Sequence, residues 1–336
     1  MRSSALEGLA SSHVSNDRQH PIGTGFGATT TAQEVLTGID LTGATVLVTG
    51  GYSGIGLETT RALVGAGAHV VVPARRPAQA KEALDGIERV EVDELDLGDL
   101  ASVEAFAERF LATERPLRAV VNSAGIMANP ETRVGPGWES QFATNHLGHF
   151  ALVNRLWPAI AAGRGRVVAV SSRGHQASPI RWDDVQFATG YDKWLAYGQA
   201  KTANVLFAVH LDALAHDAGV RAFALHPGGI LTPLQRHTPI EEQIERGWRL
   251  ADGTPNPAFR MKTPEQGAAT QTFAAVSPQF DGLGGVYLED CEVATLIDGD
   301  RAELGSGVMP YAVDPEQAAR LWTLSAELTG VDAFRP

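Results

Sequence analysis

A tyrosine and a lysine four residues apart are the first pair in the sequence that could do chemistry. Tyr197 and Lys201 lie in a stretch with helical spacing, and residues four apart share one face of a helix. A phenol with a pKa of about 10 is a poor base at neutral pH, but a neighbouring ammonium favours the phenolate and lowers that pKa. Tyr197 is therefore a candidate general acid or base for a carbonyl or alcohol oxygen. Taken alone, the two residues could equally be a surface pair on an amphipathic helix.

A glycine-rich turn between a buried strand and a helix is the second feature. The apolar residues 45–49 predict a strand, and the segment 50–56 leads from it into a helix. Glycine lets a backbone turn tightly and approach a pyrophosphate, while the amino terminus of a helix offers N–H groups to phosphates. The glycine spacing is wider than in the G-x-G-x-x-G fingerprint. The residues predicted to bind a dinucleotide here are Gly50, Tyr52, Ser53, Gly54, Ile55 and Gly56.

Two arginines follow the second predicted strand, where the 2′ position of a dinucleotide is recognised. Arg75 and Arg76 come shortly after residues 69–72, and no Asp or Glu accompanies them there. An acidic residue would hydrogen-bond a free ribose hydroxyl and repel a phosphate, whereas guanidinium groups pair with phosphate. The pattern therefore favours NADP(H) over NAD(H). The alternative is that one or both arginines are solvated surface charges.

These residues require a scaffold in which strands and helices alternate. Strands are predicted at 45–49, 69–72, 90–92, 117–121, 166–170, 220–225 and 286–288, and helices at 55–64, 99–111, 142–160, 195–216 and 315–328. Such alternation is typical of an α/β protein with a parallel sheet and helices on both faces. Right-handed crossovers make it a doubly wound, Rossmann-type fold. We expect residues 36–336 to form one domain, preceded by an arm over residues 1–35.

A series of motifs resembles the short-chain dehydrogenase/reductase family over most of the chain. Each motif lies at the carboxyl end of a predicted strand or on the adjoining helix, and only Ser123 departs from the usual N-N-A-G. The stretches 145–150, 196–207 and 287–291 are similar to retinol dehydrogenases and to the reductase domain of WW-domain oxidoreductases. The motifs are Thr49-Gly50-x-x-x-Gly54-x-Gly56, Asn122-Ser123-Ala124-Gly125, Asn145, Ser171-Ser172, Tyr197-x-x-x-Lys201 and His226-Pro227-Gly228-Gly229-Ile230-Leu231-Thr232.

The resemblance implies an NADP(H)-dependent oxidoreductase that acts on a C=O or CH–OH group. Tyr197 would be the acid/base, and Lys201 would also hold the nicotinamide ribose. Ser172, the second serine of its pair, would position the substrate oxygen, and Asn145 would hold a water that links Lys201 to solvent. Further cofactor contacts are implied for Asp96, Leu97, Asn122, Ala124, Gly125, Pro227, Gly228, Ile230 and Thr232. The alternative is a non-catalytic, cofactor-sensing protein on the same fold, although such proteins commonly lose the tyrosine or the lysine.

Composition restricts the partners of the chain. The 336 residues carry a net charge of −12, which argues against nucleic-acid binding because such proteins usually have a basic face. The single cysteine, Cys291, cannot form an intrachain disulfide or a cysteine metal cluster, and it is consistent with a reducing cytoplasm. No apolar run reaches the length of a membrane span. We expect a small-molecule carbonyl or alcohol as partner and no metal; a homo-oligomer stays open.

A polar segment with five prolines, residues 233–264, interrupts the alternating pattern. Long connections of this kind are usually lids or binding loops. Its apolar residues indicate a pocket for a hydrophobic ketone, aldehyde or secondary alcohol; they are Leu234, Ile240, Trp248 and Phe259. His175 lies between Ser172 and Tyr197 in the chain and is expected to line the pocket or to be exposed, rather than to act as a base.

Overall fold

An eight-stranded, mostly parallel sheet lies at the centre of the protein. The computed structural model describes residues 18–297 and 305–335. Its strands are β1 (Thr45–Thr49), β2 (His69–Ala74), β3 (Val90–Glu94), β4 (Ala119–Asn122), β5 (Arg133–Val134), β6 (Trp138–Glu139), β7 (Arg166–Val170), β8 (Arg221–His226), β9 (Val286–Glu289) and β10 (Glu292–Val293). The order across the sheet is β10-β9-β8-β7-β4-β1-β2-β3, and β5 and β6 form a separate hairpin. The predicted Rossmann-type fold is confirmed.

Helices connect the strands and pack on the sheet. They are α1 (Gly54–Gly65), α2 (Pro77–Ala83), α3 (Leu100–Leu111), α4 (Ser140–Phe142), α5 (Gly148–Arg155), α6 (Trp157–Ala162), α7 (Lys193–Ala215), α8 (Ile240–Glu245), α9 (Pro264–Gly267), α10 (Ala269–Val276) and α11 (Pro315–Thr329). Among the described residues, no helix has both the length and the apolar character needed to cross a bilayer.

The strand β1 shows how the sheet buries both of its faces. All five of its residues are buried. Val46 and Val48 pack in one apolar cluster with Phe273 of α10, while Leu47 packs in another with Phe150 of α5. Side chains alternate between the two faces of a strand, so a strand that is apolar throughout needs a cover on each side. Helices therefore cover both faces of the sheet. Polar residues lie at the ends of the strands.

Two predictions about the elements are wrong in detail. The predicted parallel sheet ends in an antiparallel strand, β10, whose Val293 pairs with Leu288 of β9. The single helix predicted over 142–160 is divided into α4, a π-helical segment (Ala143–Leu147), α5 and α6. Pro158 lies in the first turn of α6, where the missing N–H of a proline prevents the helix from continuing unbroken.

The described part of the amino-terminal arm is packed on the domain. Residues 1–17 lie outside the described residues, so the arm predicted over 1–35 is seen only from residue 18. The Gln19 amide donates hydrogen bonds to the carbonyls of Tyr287 (2.8 Å) and Ala294 (2.6 Å) and accepts one from the Tyr287 N–H (2.9 Å). The Phe26 ring contacts Phe273 edge-on at 5.2 Å. This segment therefore covers the β9 end of the sheet.

Candidate active site

The helix α7 carries Tyr197 and Lys201 into the interior at the carboxyl ends of the strands. The helix begins where the Asp192 carboxylate accepts hydrogen bonds from two N–H groups of the first turn, each at 2.8 Å. Tyr197 and Lys201 are each only 5% exposed. The Lys201 Nζ donates to the carbonyl of Val170, the last residue of β7, at 3.0 Å, and lies 5.6 Å from the centre of the Tyr197 ring. The pair is therefore buried at the sheet edge, and the surface-pair alternative is wrong.

Ser172 follows β7 and lies next to Tyr197. Its Oγ accepts a hydrogen bond from the Gly174 N–H at 3.0 Å. A Cβ at Gly174 would stand 2.8 Å from Cε1 of Tyr197 and 3.4 Å from Ser172 Oγ, so a side chain there would displace the tyrosine. The hydroxyl of Ser171 instead donates to the Lys201 carbonyl at 2.7 Å, which fixes α7 to the strand. Gly174 was not among the predicted site residues, and its only signal in the sequence is that a glycine stands two residues after Ser172.

Burial sets the pKa values of the tyrosine and the lysine. It raises the pKa of Tyr197 to about 12, against a smaller lowering by the Ser172 hydrogen bond, and lowers the pKa of Lys201 to about 8. The expectation that the ammonium would lower the phenol's pKa is wrong for this structure, because burial disfavours the phenolate more strongly than the Ser172 hydrogen bond favours it. At neutral pH Tyr197 is therefore a protonated donor, and Lys201 is mostly charged.

Asn145 lies in the π-helical segment and holds the backbone that follows β4. Its Oδ1 accepts from the Ile126 N–H at 2.9 Å, and its Nδ2 donates to the Ile126 carbonyl at 3.0 Å. A Cβ at Gly125 would lie 3.1 Å from Asn145 Oδ1 and 3.7 Å from Lys201 Nζ. The structure thus brings Asn145, Gly125 and Lys201 together, as the motifs predicted.

A buried histidine connects this segment to β1. His149 Nδ1 is 3.0 Å from the Asn145 carbonyl and Nε2 is 2.9 Å from Thr49 Oγ1. Burial lowers the pKa of His149 to about 4, so the ring is neutral; Nδ1–H donates to the carbonyl and Nε2 accepts from the hydroxyl. Thr49 Oγ1 in turn accepts from the N–H groups of Ser123 and Ala124, both at 3.0 Å. His149 was missed, although it lies one helical turn after Asn145.

The glycine turn is shaped by close backbone contacts. Gly50 and Gly54 have φ values of +68° and +51°, which favour glycine. A Cβ at Gly50 would lie 3.0 Å from the Cα of Ala124, and one at Gly56 would lie 2.3 Å from the Gly50 carbonyl oxygen. Gly51, which the spacing argument left out, is equally crowded, since a Cβ there would lie 2.7 Å from Thr60 Oγ1. These contacts form a narrow cradle of bare backbone.

The amino terminus of α1 opens beside that cradle. The Ser53 side chain makes no capping hydrogen bond to this terminus within the described part of the chain. The first N–H groups of α1 are therefore available to a phosphate. Thr232 lies across from it, because a Cβ at Gly54 would be 3.3 Å from the Thr232 Cβ. Ile55 and Ile230 both pack against Gly267 of α9. A dinucleotide pyrophosphate fits this arrangement.

The amide of Asn122 is a further polar group at this edge. Asn122 ends β4 and is 1% exposed, and neither its Oδ1 nor its Nδ2 has a hydrogen-bond partner among the described residues. Because a buried amide without a partner is costly, this group favours a ligand nearby. It fits the cofactor contact that the motif predicted.

Three arginines and a tyrosine gather where β2 ends. Arg75 and Arg76 are exposed. Burial lowers the pKa of Arg236, the charges of Arg75 and Arg76 lower it further, and Tyr52 opposes these effects. Arg236 lies in a 3-10 helix (Pro233–His237) directly after Thr232, so the lid segment adds a third guanidinium to the predicted pair. Arg236 was not predicted as a cofactor contact, because no periodic pattern in the sequence places it near the end of β2.

The remaining predicted contacts lie around the same edge. The Asp96 carboxylate accepts from the Gly98 N–H at 2.9 Å. The Leu97 carbonyl comes so close to Gly148 that a Cβ there would stand 2.1 Å from its oxygen. Gly228, which follows Pro227 after β8, faces Lys262, whose side-chain carbons would lie 2.6 Å from a Cβ at Gly228. Each of these residues thus lies shortly after the carboxyl end of a strand, β3 for Asp96 and Leu97 and β8 for Gly228.

An apolar wall faces Tyr197. Its members are Met127, Ala128, Trp194, Leu234 and Trp248. The segment 233–264, predicted to be a lid or binding loop, is joined to α7 through Glu242, whose carboxylate accepts from Lys193 Nζ (2.5 Å) and Trp194 Nε1 (2.6 Å). Of the predicted pocket residues, Leu234 and Trp248 lie in this wall and Phe259 packs near Trp248. Ile240 is 52% exposed and lies outside it.

His175 is wholly buried, which contradicts the expectation that it could be exposed. Its Nδ1 lies 2.7 Å from the Ser172 carbonyl, and its Nε2 accepts from the Met309 N–H at 3.2 Å. The Tyr311 hydroxyl donates to the His175 carbonyl at 2.7 Å. His175 therefore supports the backbone that carries Ser172.

Comparisons with known proteins agree with this geometry. The family model described as short chain dehydrogenase matches residues 44–243. A Streptomyces antibioticus protein named "Probable oxidoreductase" is 46% identical over 308 residues, with 88% of this chain and 99% of the relative covered. Human retinol dehydrogenase 12 is 34% identical over 302 residues, with 88% and 89% covered.

Two solved structures have the same fold. A crystal structure of an uncharacterised protein from Mycobacterium paratuberculosis aligns with a TM-score of 0.67 and 33% identity, covering 89% of this chain and 97% of the other. The Pseudomonas aeruginosa RhlG/NADP complex aligns with a TM-score of 0.58 over 74% of this chain and 95% of the other. At 22% identity, the second shows a likeness of fold alone.

Proposed function

Because the chain belongs to the short-chain dehydrogenase/reductase family, an oxidoreductase family that uses a nicotinamide cofactor, we propose that it transfers a hydride between NADP(H) and a carbonyl or alcohol of a small hydrophobic molecule. The observation that carries the proposal is the buried pair of Tyr197 and Lys201 beside Ser172. An apolar wall faces the phenol. A polar reactive group and an apolar body are what such a pocket accepts.

The cradle and the open end of α1 would hold the pyrophosphate, and Lys201 would hold the nicotinamide ribose. The bound cofactor supplies the hydride to the carbonyl carbon. Ser172 Oγ would hydrogen-bond the substrate oxygen while Tyr197 gives its proton to that oxygen, so that a C=O becomes a CH–OH. In the reverse direction Tyr197, which is protonated at neutral pH, would first release its proton past Lys201 toward solvent, and the phenolate would then take the alcohol proton. The Lys201 ammonium stabilises the phenolate between these steps.

A path that returns the proton to Tyr197 would run past Lys201 and Asn145. Both polar atoms of the Asn145 side chain already hydrogen-bond the backbone of Ile126. The backbone carbonyl of Asn145 accepts one hydrogen bond, from His149. A carbonyl oxygen has two lone pairs, so a water linking Lys201 to solvent would use the second one. Asn145 thus acts in this proposal through its backbone, with its side chain fixing the turn.

The cluster of Arg75, Arg76 and Arg236 supports NADP(H) over NAD(H). A 2′-phosphate carries almost two negative charges at neutral pH, and three guanidinium groups gather near the end of β2. Arg236 would contact the phosphate only when the lid segment lies over the cofactor. Cofactor choice would then be coupled to the position of the lid.

Cofactor consumption with a panel of hydrophobic ketones and aldehydes tests the proposal. We expect NADPH oxidation with at least one of them, and a kcat/KM at least about tenfold above that with NADH, since one charge-assisted hydrogen bond is worth about one to two orders of magnitude in affinity. Tight NADPH binding without turnover of any carbonyl, or of alcohols with NADP+, would favour the cofactor-sensing alternative.

A further inference from the structure

A second concentration of arginines lies at the opposite edge of the sheet, where the strands begin. It surrounds a cavity of about 420 Å³, a size typical of small-molecule sites. Four arginines line it, Arg118, Arg164, Arg166 and Arg221, together with His216 and Asp281. We propose that this cavity binds a phosphate-bearing small molecule, as a site separate from the cofactor cleft.

The fold itself brings these guanidinium groups together. Arg166 and Arg221 are the first residues of β7 and β8 and are partners in register, so their backbones lie about 4.8 Å apart. Arg118 immediately precedes β4, and its carbonyl accepts from the Arg166 N–H at 3.1 Å. Arg164 follows α6 with a φ of +44°, a left-handed conformation that a non-glycine residue seldom adopts. Parallel pairing thus places like charges on three neighbouring strands.

Two of the four guanidinium groups are neutralised inside the protein. Arg166 donates to Asp281 Oδ1 (2.6 Å) and to the Ala274 carbonyl (3.1 Å). Arg221 holds the Asp212 carboxylate with two hydrogen bonds, at 2.8 and 2.7 Å. These two arginines are 3% and 7% exposed, so they form a fixed, buried floor.

The other two arginines leave positive charge facing the cavity. Among the described residues, the guanidinium groups of Arg118 and Arg164 have no hydrogen-bond or ion-pair partner. Burial and the charges of Arg118 and Arg221 lower the pKa of Arg166 to about 10, which shows that the like charges are close enough to repel. A phosphate monoester brings about −1.5 to −2 charges at pH 7 and would match the two uncompensated groups. This local excess stands out in a chain with a net charge of −12.

The cavity is distant from the candidate active site. Arg166 and Val170 lie at opposite ends of β7, about 13 Å apart at a rise of about 3.3 Å per residue. Val170 is the residue whose carbonyl receives Lys201. A ligand in the cavity therefore does not replace the substrate or the cofactor.

Calorimetric titration of the full chain with inorganic phosphate and pyrophosphate, at constant ionic strength and with and without saturating NADP+, tests the proposal. We expect saturable binding of at least one anion that persists with NADP+ present. The double variant Arg118→Gln/Arg164→Gln should bind at least about tenfold more weakly, because each charge-assisted hydrogen bond contributes about one to two orders of magnitude.

The matched control is Arg61→Gln/Arg320→Gln, which removes two exposed arginines elsewhere and should bind like the unmutated chain. Neither guanidinium group bonds to the described protein, and both add to the repulsion in the cluster, so the double variant should not unfold at a lower temperature. Equal anion affinity in both double variants, or no saturable binding by the unmutated chain, would overturn the proposal. Neither result depends on catalysis, so the proposed oxidoreductase function would stand or fall separately.

Discussion

The two edges of the central sheet are built for different tasks. At the carboxyl edge the reactive side chains, Tyr197 and Lys201, are almost fully buried, and glycines remove side chains where a ligand's phosphates would lie. At the amino edge, arginines line an open cavity. The first edge combines backbone N–H groups, apolar surface and two titratable groups, whereas the second offers permanent charge. The same parallel sheet thus carries the proposed catalytic cleft at one end and the proposed anion site at the other.

The difference follows from what each edge must do with its ligand. Proton transfer requires groups whose pKa values respond to their surroundings, and burial moves both Tyr197 and Lys201. Holding an anion requires only charge that does not titrate, and arginine stays protonated at any physiological pH. Changes at the carboxyl edge should therefore alter turnover, cofactor preference and the pH dependence of the reaction.

Replacing Tyr197 by Phe should lower kcat by about 10²- to 10⁴-fold, because it removes the proton donor and keeps the ring. The affinity for NADPH should change little. Tyr191→Phe is the matched control; its hydroxyl donates to the Asn129 carbonyl and takes no part in the proposed proton transfer. Steady-state kinetics and cofactor titration decide the matter, and a Tyr197→Phe variant with half of the normal turnover would remove Tyr197 from the mechanism.

Replacing Arg75 by Asp should abolish or reverse the preference for NADPH, a change of at least about tenfold in the ratio of kcat/KM values, because it removes one charge-assisted contact and adds repulsion. The effect should fall mainly on KM, since the 2′ position is remote from the hydride. Arg236→Gln should lower the preference partially, while the exposed lid residue Arg260, changed to Gln, should leave it unaltered. A clear preference for NADH in the unmutated enzyme would refute the assignment.

The pH dependence of carbonyl reduction should report the charge of Lys201. The pKa of Lys201 is lowered to about 8 and that of Tyr197 is raised to about 12. From pH 6 to 7 both are protonated, and kcat/KM for the carbonyl at saturating NADPH, which reports the enzyme before the carbonyl binds, should be flat. Above pH 8 Lys201 loses its proton and the value should fall by up to about tenfold per pH unit. Lys201→Arg keeps its charge, so whatever activity it retains should not show this fall.

Replacing Glu242 by Ala should raise the KM for substrate by at most about fivefold, because partly exposed ion pairs are worth about 1 kcal/mol or less. Glu242 joins the lid to Lys193 and Trp194, and its loss should loosen the apolar wall over Tyr197. The neighbouring exposed residue Glu241, changed to Ala, is the control. If KM is unchanged in both variants, the contact of Glu242 with Lys193 and Trp194 does not contribute to substrate binding, and the prediction is wrong.

The sequence predicted the elements whose pattern is local. The strands at 45–49 and 166–170 match β1 and β7 residue for residue, because the centre of a strand buried on both faces is a run of apolar residues. Tyr197 and Lys201 were found because their spacing in a helix fixes their relative placement. Motifs at the ends of strands were likewise easy to find, since the order of the chain decides which edge they share.

Features that depend on distant contacts were missed or wrong. The π-helical segment contains Asn145, whose side chain hydrogen-bonds the backbone of Ile126. Leu97 and Gly148 are in close contact although they lie about fifty residues apart in the chain. Arg236 belongs to a lid without periodicity. The antiparallel β10 follows a turn at Asp290 and Cys291, both with positive φ. No glycine at these positions indicates such a turn in the sequence. Burial reversed the expected pKa shift of Tyr197, because the sequence shows a neighbouring charge but not the depth of the site.

Amide hydrogen exchange with and without NADPH tests most directly whether the dinucleotide binds at the carboxyl edge. Bound NADPH should slow exchange in residues 50–56, 122–126 and 226–237, which form the glycine turn, the end of β4 and the loop that leads into the lid. Residues 163–166 and 216–221, at the amino edge, should exchange at the same rate in both states. Protection confined to the amino edge, or none in residues 50–56, would contradict the assignment of the cofactor site.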